Sequence, residues 1–350
     1  MIKNTALIAG ATGQIGNSVL TYLSGQDNVE VIGLSRSPGA NRLHPMIGVD
    51  LTDAADCRYK LGHLREVTHI IYAARNDHFG GKPESAATNQ TMLANLIDVI
   101  EACAQDLRHV HLVHGTKYYG HQRWPSPVPY REDLPRGQFE NYYFLQQDFV
   151  ERRQKGRSWN WSISRPHTFC DLSTDQARSI TLLIAVYASV LRELGLPLFY
   201  PGTRESFRAK TQFTWLPLLA KAIDWMSTDS RCANQAYNIV NGDAWSWEQL
   251  WPLFASYFQM DVAGPRPGSL NDFMADKENI WQQLVARHGL QPTGLHSLVQ
   301  WPYGDYVFSI QWDVVSDMAK ARRDGFADQN DSKKMWVDSF DFFRRQKLIP

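Results

Sequence analysis

The segment Gly10-Ala11-Thr12-Gly13-Gln14-Ile15-Gly16 constrains this chain more than any other. Three glycines recur at three-residue intervals, directly after the apolar run Thr5 to Ala9 and ahead of Gln14 to Leu23, whose apolar residues fall at helical spacing. In such a strand–turn–helix unit the first glycine turns the chain sharply, the second lets backbone approach a pyrophosphate, and the third lets helix and strand pack closely. The helix N-terminus then points its N–H groups and the positive end of its dipole at the phosphates. Further strands are predicted at Glu30 to Leu34, Met46 to Val49, His69 to Ala73, Val110 to His114 and Trp161 to Ser164, with a second long helix at Ala86 to Ala104. This alternation predicts an α/β fold built on a Rossmann-type doubly wound parallel sheet.

After Pro166 the alternation fades and Trp, Phe and Tyr become more frequent. A loop rich in Pro and charge, Arg123 to Glu140, leads into a helix beginning near Asn141. Further helices are predicted at Ile180 to Leu194, Leu216 to Met226, Trp247 to Phe258 and Lys333 to Gln346. The chain of 350 residues, 43% of them hydrophobic, can build two lobes around a cleft. We read residues 1–166 as the Rossmann domain and 167–350 as a smaller, mostly helical C-terminal substrate lobe with some segments returning to the Rossmann core.

Charge excludes several partners. Lys plus Arg number 36 and Asp plus Glu number 36, so no basic excess exists to hold nucleic acid or an acidic membrane surface. The longest apolar stretch, Ser179 to Leu191, falls short of the roughly 20 residues that cross a bilayer and reads as a buried helix. The N-terminus carries one Lys and a short apolar strand rather than a secretory signal, so a cytoplasmic protein is expected. Cys57, Cys103, Cys170 and Cys232 form no C-x-x-C pair, which predicts reduced core thiols and no metal site. No internal repeat is present, and the sequence leaves a homodimer open.

Arg36 stands twenty residues past Gly16, within Gly33-Leu34-Ser35-Arg36-Ser37, where an NAD site usually places an acid on the ribose hydroxyls. A guanidinium there favours the 2′-phosphate of NADPH. Asp50, ending the third strand, can accept from the adenine amino group or simply form a turn. The expected cofactor contacts are Gly10, Thr12, Gly13, Gln14 and Ile15 in the glycine turn, Ser35 and Arg36, Asp50 and Leu51, Ala73 and Ala74, and Tyr143, Pro166, Thr168 and Phe169.

None of the fourteen tyrosines is followed four residues later by lysine, so the Tyr-x-x-x-Lys pair of short-chain dehydrogenases is missing. In its place, His114-Gly115-Thr116-Lys117-Tyr118-Tyr119-Gly120 closes the fifth strand and Asn141-Tyr142-Tyr143-Phe144 opens the next helix. The carboxyl ends of parallel strands border the ligand crevice, so Lys117 falls where a nicotinamide would lie.

These motifs resemble the progesterone 5β-reductase and iridoid synthase-like (PRISE) enzymes, an atypical branch of the extended short-chain dehydrogenases. Gly10 to Gly16 matches the family's glycine motif, Gly33 to Ser37 its G-x-A-R-R segment, His114 to Tyr119 its T-G-x-K-H-Y, Tyr130 to Arg136 its E-D-L-P-R, and Asn141 to Asp148 its N-F-Y-Y-x-x-E-D. Arg165-Pro166, Tyr200 to Thr203, Asn238 to Asp243, Trp312-Asp313 and Leu348 to Pro350 extend the resemblance to nearly the whole chain. It implies Lys117 and Tyr143 as catalytic residues and NADPH-dependent 1,4-reduction of the C=C bond of an enone or enal, steroid- or terpenoid-like. The Tyr143 hydroxyl would donate to the enolate oxygen, while Lys117 keeps tyrosine and cofactor in place.

Departures are local. Ser37 replaces a second arginine, Phe144 a tyrosine and Gln147 a glutamate, while His167 to Asp171 replaces G-N-I-F-G beside the nicotinamide. Tyr72 stands where the family has tryptophan near the substrate, and Tyr72, Tyr118 and Phe343 are the candidate substrate contacts. Aromatic residues of the second half, including Trp215, Trp245, Trp247, Phe342 and Phe343, suit an apolar small-molecule substrate. Two other functions share these features: an NADP-dependent carbonyl reductase or sugar-nucleotide epimerase of the extended class, and a non-catalytic NADPH-binding sensor.

Overall fold

A computed structural model describes residues 4–39, 44–76, 84–173 and 177–350. Seven strands form one parallel sheet: β1 (Asn4–Ala9), β2 (Val29–Ser35), β3 (Met46–Gly48), β4 (His69–Tyr72), β5 (His109–Val113), β6 (Asn160–Arg165) and β7 (Gln235–Asn238), in the order β7-β6-β5-β4-β1-β2-β3. The first six coincide with the strands read from the sequence. β7 was not expected: it is four residues long and comes from beyond residue 166, so the second half of the chain completes the sheet.

Strand alternation sorts side chains onto two covered faces. Leu7, Ala9, Ile70, Tyr72, Val110 and Leu112 pack toward helices α2 (Ala54–Leu61), α3 (Ala86–Cys103) and α4 (Tyr142–Arg153). Ala6, Ile8, Val31 and Ile71 pack toward α1 (Gln14–Ser24) and α6 (Leu216–Thr228). Polar caps set where several helices begin: Asp53 accepts from Ala55 and Asp56 N–H at α2, and Ser85 from Thr88 N–H at α3. The short α2 escaped the sequence reading because its buried residues are only Cys57 and Leu61.

The second half builds its own aromatic core. Helix α5 (Ile180–Glu193) is buried from Ile180 to Leu191, which explains why the longest apolar run needs no bilayer. Helices α7 (Trp247–Tyr257), α8 (Glu278–His288), α9 (Trp301–Phe308) and α10 (Ser332–Arg345) surround it with Trp251, Trp281, Trp301, Trp336 and Phe340, all nearly inaccessible. Replacing one such aromatic by alanine typically costs about 3–5 kcal/mol. The four thiols are free, three of them buried. Among the described residues, no helix is long and apolar enough to cross a membrane.

β5 carries a polar seam inside this apolar frame. His109 Nε2 and His111 Nδ1 both meet Ser162 Oγ at 2.7 Å, and His111 Nε2 meets Ser164 Oγ at 3.0 Å. Burial pushes His111 down to about 3 and His69, on the neighbouring strand, to about 4. Away from the sheet, burial likewise lowers His121 to about 3 and His167 to about 4. These rings are neutral when folded, whereas an unfolded histidine takes up a proton near 6.5. Their contribution is therefore complete above pH 6.5 and is lost as pH falls toward 3 to 4. Each one costs about 1.4 kcal/mol per pH unit inside that window. Urea unfolding between pH 7 and pH 4 should show a steady fall in midpoint; a flat midpoint would mean that these rings are protonated in place.

Candidate active site

Where the strand order reverses, between β1 and β4, the carboxyl ends of the sheet open onto a cleft of about 410 Å³. Gly10 sits at its base with φ +80°, and a Cβ there would come within 2.8 Å of the Ala73 and Ala74 backbone. A Cβ on Gly16 would fall 2.2 Å from the Gly10 carbonyl oxygen, so helix and strand touch there. Gly13 precedes α1 with no side-chain cap, and a Cβ on it would meet only the Gly10 oxygen at 3.4 Å. Gly10 and Gly16 thus sit where a side chain would collide with backbone, and Gly13 leaves the start of α1 open on the cleft wall.

Thr12, Gln14, Ile15, Ser35, Arg36, Asp50, Leu51, Ala73, Ala74, Tyr143 and Phe169 line the same cleft, together with Gly10 and Gly13. Thr12 Oγ1 and Ser35 Oγ lie 3.0 Å apart, joining the glycine turn to the end of β2. Arg36 is exposed at one end of the cleft. Asp50 Oδ1 accepts from Thr52 N–H at 2.9 Å and Thr52 Oγ1 at 2.8 Å, which makes it a turn-forming carboxylate. Those two bonds, and then the Arg36 charge, hold its pKa below the usual carboxylate value.

Two residues expected at the cofactor, Pro166 and Thr168, are not in the cleft lining. The Pro166 carbonyl accepts from Thr116 N–H at 3.1 Å and supports the turn after β5. Thr168 pairs with Phe213 in a two-stranded ribbon and lines a smaller neighbouring cavity.

One side chain unites the two catalytic candidates. Asn141 caps α4 by accepting from Tyr143 N–H at 3.0 Å, and its Nδ2 donates to the Lys117 carbonyl at 2.9 Å. Lys117 sits in a 3-10 turn, Thr116–Tyr119, and its Nζ lies 5.9 Å from the Tyr306 ring centre on α9. The Tyr143 hydroxyl lies 3.4 Å from the point a Cβ on Gly115 would occupy, two residues before Lys117. Its ring stacks on His114 at 4.4 Å and 19°, with Tyr142 packed against it at 4.3 Å. Burial keeps His114 far below the ordinary imidazole range, so this plate is uncharged. Tyr143 therefore stands on the cleft wall with its ring wedged, while Lys117 is tied to the same cap without itself lining the cleft.

The three expected substrate contacts point away from the cleft. Tyr72 is buried with Ile70 on the α2–α3 face, because strand alternation turns it into the core. The Arg165 guanidinium covers the Tyr118 ring at 3.5 Å, and the Tyr118 hydroxyl accepts from Arg136 Nε at 3.0 Å. Phe343 shares the buried stripe of α10 with Met335, Trp336, Ser339 and Phe340. The departures sit in this same packing: Phe144 meets Tyr118 edge-on at 4.9 Å, and Gln147 Oε1 accepts from Arg165 Nη2 at 3.3 Å.

The cleft also contains residues not expected from the sequence. Arg75 and Asn76 follow β4, where the rule for carboxyl ends of strands could have found them; Arg75 pairs with Glu84. Arg178 and Gln300 come from the second half and bond to each other, Arg178 Nε to Gln300 Oε1 at 3.1 Å. Gln14 Nε2 reaches Asp171 Oδ1 at 3.2 Å, a link between the two halves of the chain. No local pattern announces pairs so far apart in sequence.

A model of the PRISE-like Rossmann-fold domain matches residues 30–350. The short chain dehydrogenase gsfE of Penicillium aethiopicum is 32% identical over the whole of both chains. The 3-oxo-Delta(4,5)-steroid 5-beta-reductase of Arabidopsis thaliana is 30% identical, with 99% of this chain and 94% of that protein covered. The (S)-8-oxocitronellyl enol synthase CYC1 of Camptotheca acuminata is 31% identical over the same shares. Among solved structures, a UDP-glucose 4-epimerase from Thermotoga maritima superposes with TM-score 0.69 at 13% identity, covering 97% of this chain and 99% of that one, a likeness of fold alone. Matched by that model over most of its length and by such relatives from end to end, the chain belongs to the PRISE-like Rossmann-fold family.

Proposed function

We propose that this chain is an NADPH-dependent ene-reductase that performs 1,4-reduction of the C=C bond of α,β-unsaturated carbonyl compounds. The observation that carries the reading is the Asn141 bridge, which fixes a phenol on the cleft wall beside the Lys117 turn in a chain without a Tyr-x-x-x-Lys pair. The 5-beta-reductase and enol synthase names of full-length relatives support the same class of substrate.

The glycine turn, the open start of α1 and Arg36 fit a dinucleotide carrying a 2′-phosphate: Gly10, Gly13 and Gly16 keep the wall free of side chains, and Arg36 supplies the charge. When bound, NADPH supplies a hydride to the β-carbon of the substrate. The protein's part is to receive the negative charge that moves to the carbonyl oxygen. Tyr143 Oη donates a hydrogen bond to that oxygen, and the bond strengthens as charge accumulates. One preorganised donor of this kind contributes about 3–4 kcal/mol to the transition state. Lys117, held through its carbonyl by Asn141, adds positive potential that favours the enolate. The neutral His114 plate fixes the ring without competing for the charge.

Tyr143→Phe should therefore lower turnover on an accepted enone by about 100-fold or more while NADPH affinity stays near the parent's. Equal turnover of the two proteins would remove the phenol from the mechanism and favour a sensor or another donor. Arg36→Ala should weaken NADPH by about tenfold or more and leave NADH nearly untouched, since only NADPH carries the phosphate. Fluorescence titration with both cofactors decides this; equal losses would assign the 2′-phosphate to a different residue.

A further inference from the structure

Asn141 fixes the backbone of Lys117, yet a flexible four-carbon stem separates that backbone from the ammonium. Where the charge sits is therefore decided by what the side chain meets. One of its partners comes from the second half of the chain. Lys117 Nζ lies 5.9 Å from the centre of the Tyr306 ring on α9, within the range of a cation–π contact.

α9 is built to hold that ring still. Trp301, Gly304 and Phe308 fall three and four residues apart and are its buried face. Gly304 lets the helix sit close to its neighbours, since a Cβ there would come within 2.8 Å of Leu270 and 3.1 Å of Leu183 on α5. Asp305 ties it down by accepting from the Leu270 N–H at 2.5 Å and the Asn271 N–H at 3.1 Å. At its start, Gln300 donates its backbone N–H to the Ala177 carbonyl at 2.8 Å. Tyr306 lies off the buried face and is 39% exposed, so it is not one of the side chains that build the core. Burial, and after it the nearby Tyr143 phenol, push its hydroxyl up to about 12. At neutral pH the ring is thus uncharged, and it offers Lys117 the negative face of a π-system rather than a phenolate.

We infer that Tyr306 is a positioning residue: through the face of this ring, the second half of the chain holds the Lys117 ammonium at the proposed reaction centre. The inference rests on the ene-reductase reading for its effect on rate, but the contact itself stands apart from it. A cation–π contact depends on the ring and not on the hydroxyl, which separates positioning from direct hydrogen bonding to a substrate.

Tyr306→Leu should lower kcat/KM on an accepted enone by about two- to fivefold, while Tyr306→Phe, which keeps the ring, restores most of the parent value. In the Lys117→Met protein the same Tyr306→Leu change should have no further effect, because the group it acts through is gone. A loss of equal size in both backgrounds would make Tyr306 merely structural, and a loss in Tyr306→Phe as large as in Tyr306→Leu would assign the role to the hydroxyl. Either result overturns the inference. The contact is read without turnover by proton–carbon NMR of the full-length, NADP+-loaded protein carrying lysine labelled at Cε, with the Lys117 signal identified by its loss in Lys117→Met. Protons over an aromatic face shift upfield, so this signal should stand apart from the other lysines, stay there in Tyr306→Phe and rejoin them in Tyr306→Leu. A signal unmoved by Tyr306→Leu would overturn the inference whatever the kinetics. A responding signal in a protein that reduces no enone would sink the reductase reading and keep the positioning of the ammonium; reduction with an unmoved signal would do the reverse.

Discussion

Asn141 does two things with one amide, and the site depends on both. Its oxygen caps α4 at the Tyr143 N–H, and its nitrogen holds the Lys117 carbonyl on the turn leaving β5. A phenol at the start of a helix and an ammonium at the end of a strand would otherwise be set by separate elements, each free to drift. Because an N-cap is part of what starts the helix, the spacing of the two groups is tied to the stability of α4 itself. In enzymes with Tyr-x-x-x-Lys a single helical turn fixes the pair covalently. In the proposed function a hydrogen-bonded side chain takes over that geometric duty, by holding the backbone that carries Lys117.

The sheet supplies the rest of the frame. Its order reverses between β1 and β4, and the contact of Gly10 with Ala73 and Ala74 closes the floor at that point. The second half of the chain lines the cleft with Arg178 and Gln300, meets the first half at Gln14–Asp171, and returns α6 and β7 to the sheet.

Much of this was legible in the sequence. The glycine turn could be read because Gly10 and Gly16 are held by backbone proximity, which leaves little choice of residue type. The first six strands were visible as apolar runs between turn signals, and Arg36 stood at a spacing with physical meaning. β7 was not visible because it lies beyond residue 166, where the alternation of strand and helix fades, and α2 because it buries only two residues, too few to show a period. The three residues expected at the substrate lie outside the cleft lining for another reason. Tyr72, Tyr118 and Phe343 are aromatic residues near the right motifs, but the direction of a side chain depends on strand alternation, on a guanidinium from β6 and on the helical stripe of α10.

The central claim is that hydride arrives at carbon while the phenol attends to oxygen. The most direct measurement is the position of deuterium after turnover of an enone with NADPH carrying deuterium at C4, located by NMR of the product. The account predicts the label on the β-carbon of a saturated carbonyl compound. Label on the carbinol carbon of an allylic alcohol would contradict it and make the protein a carbonyl reductase.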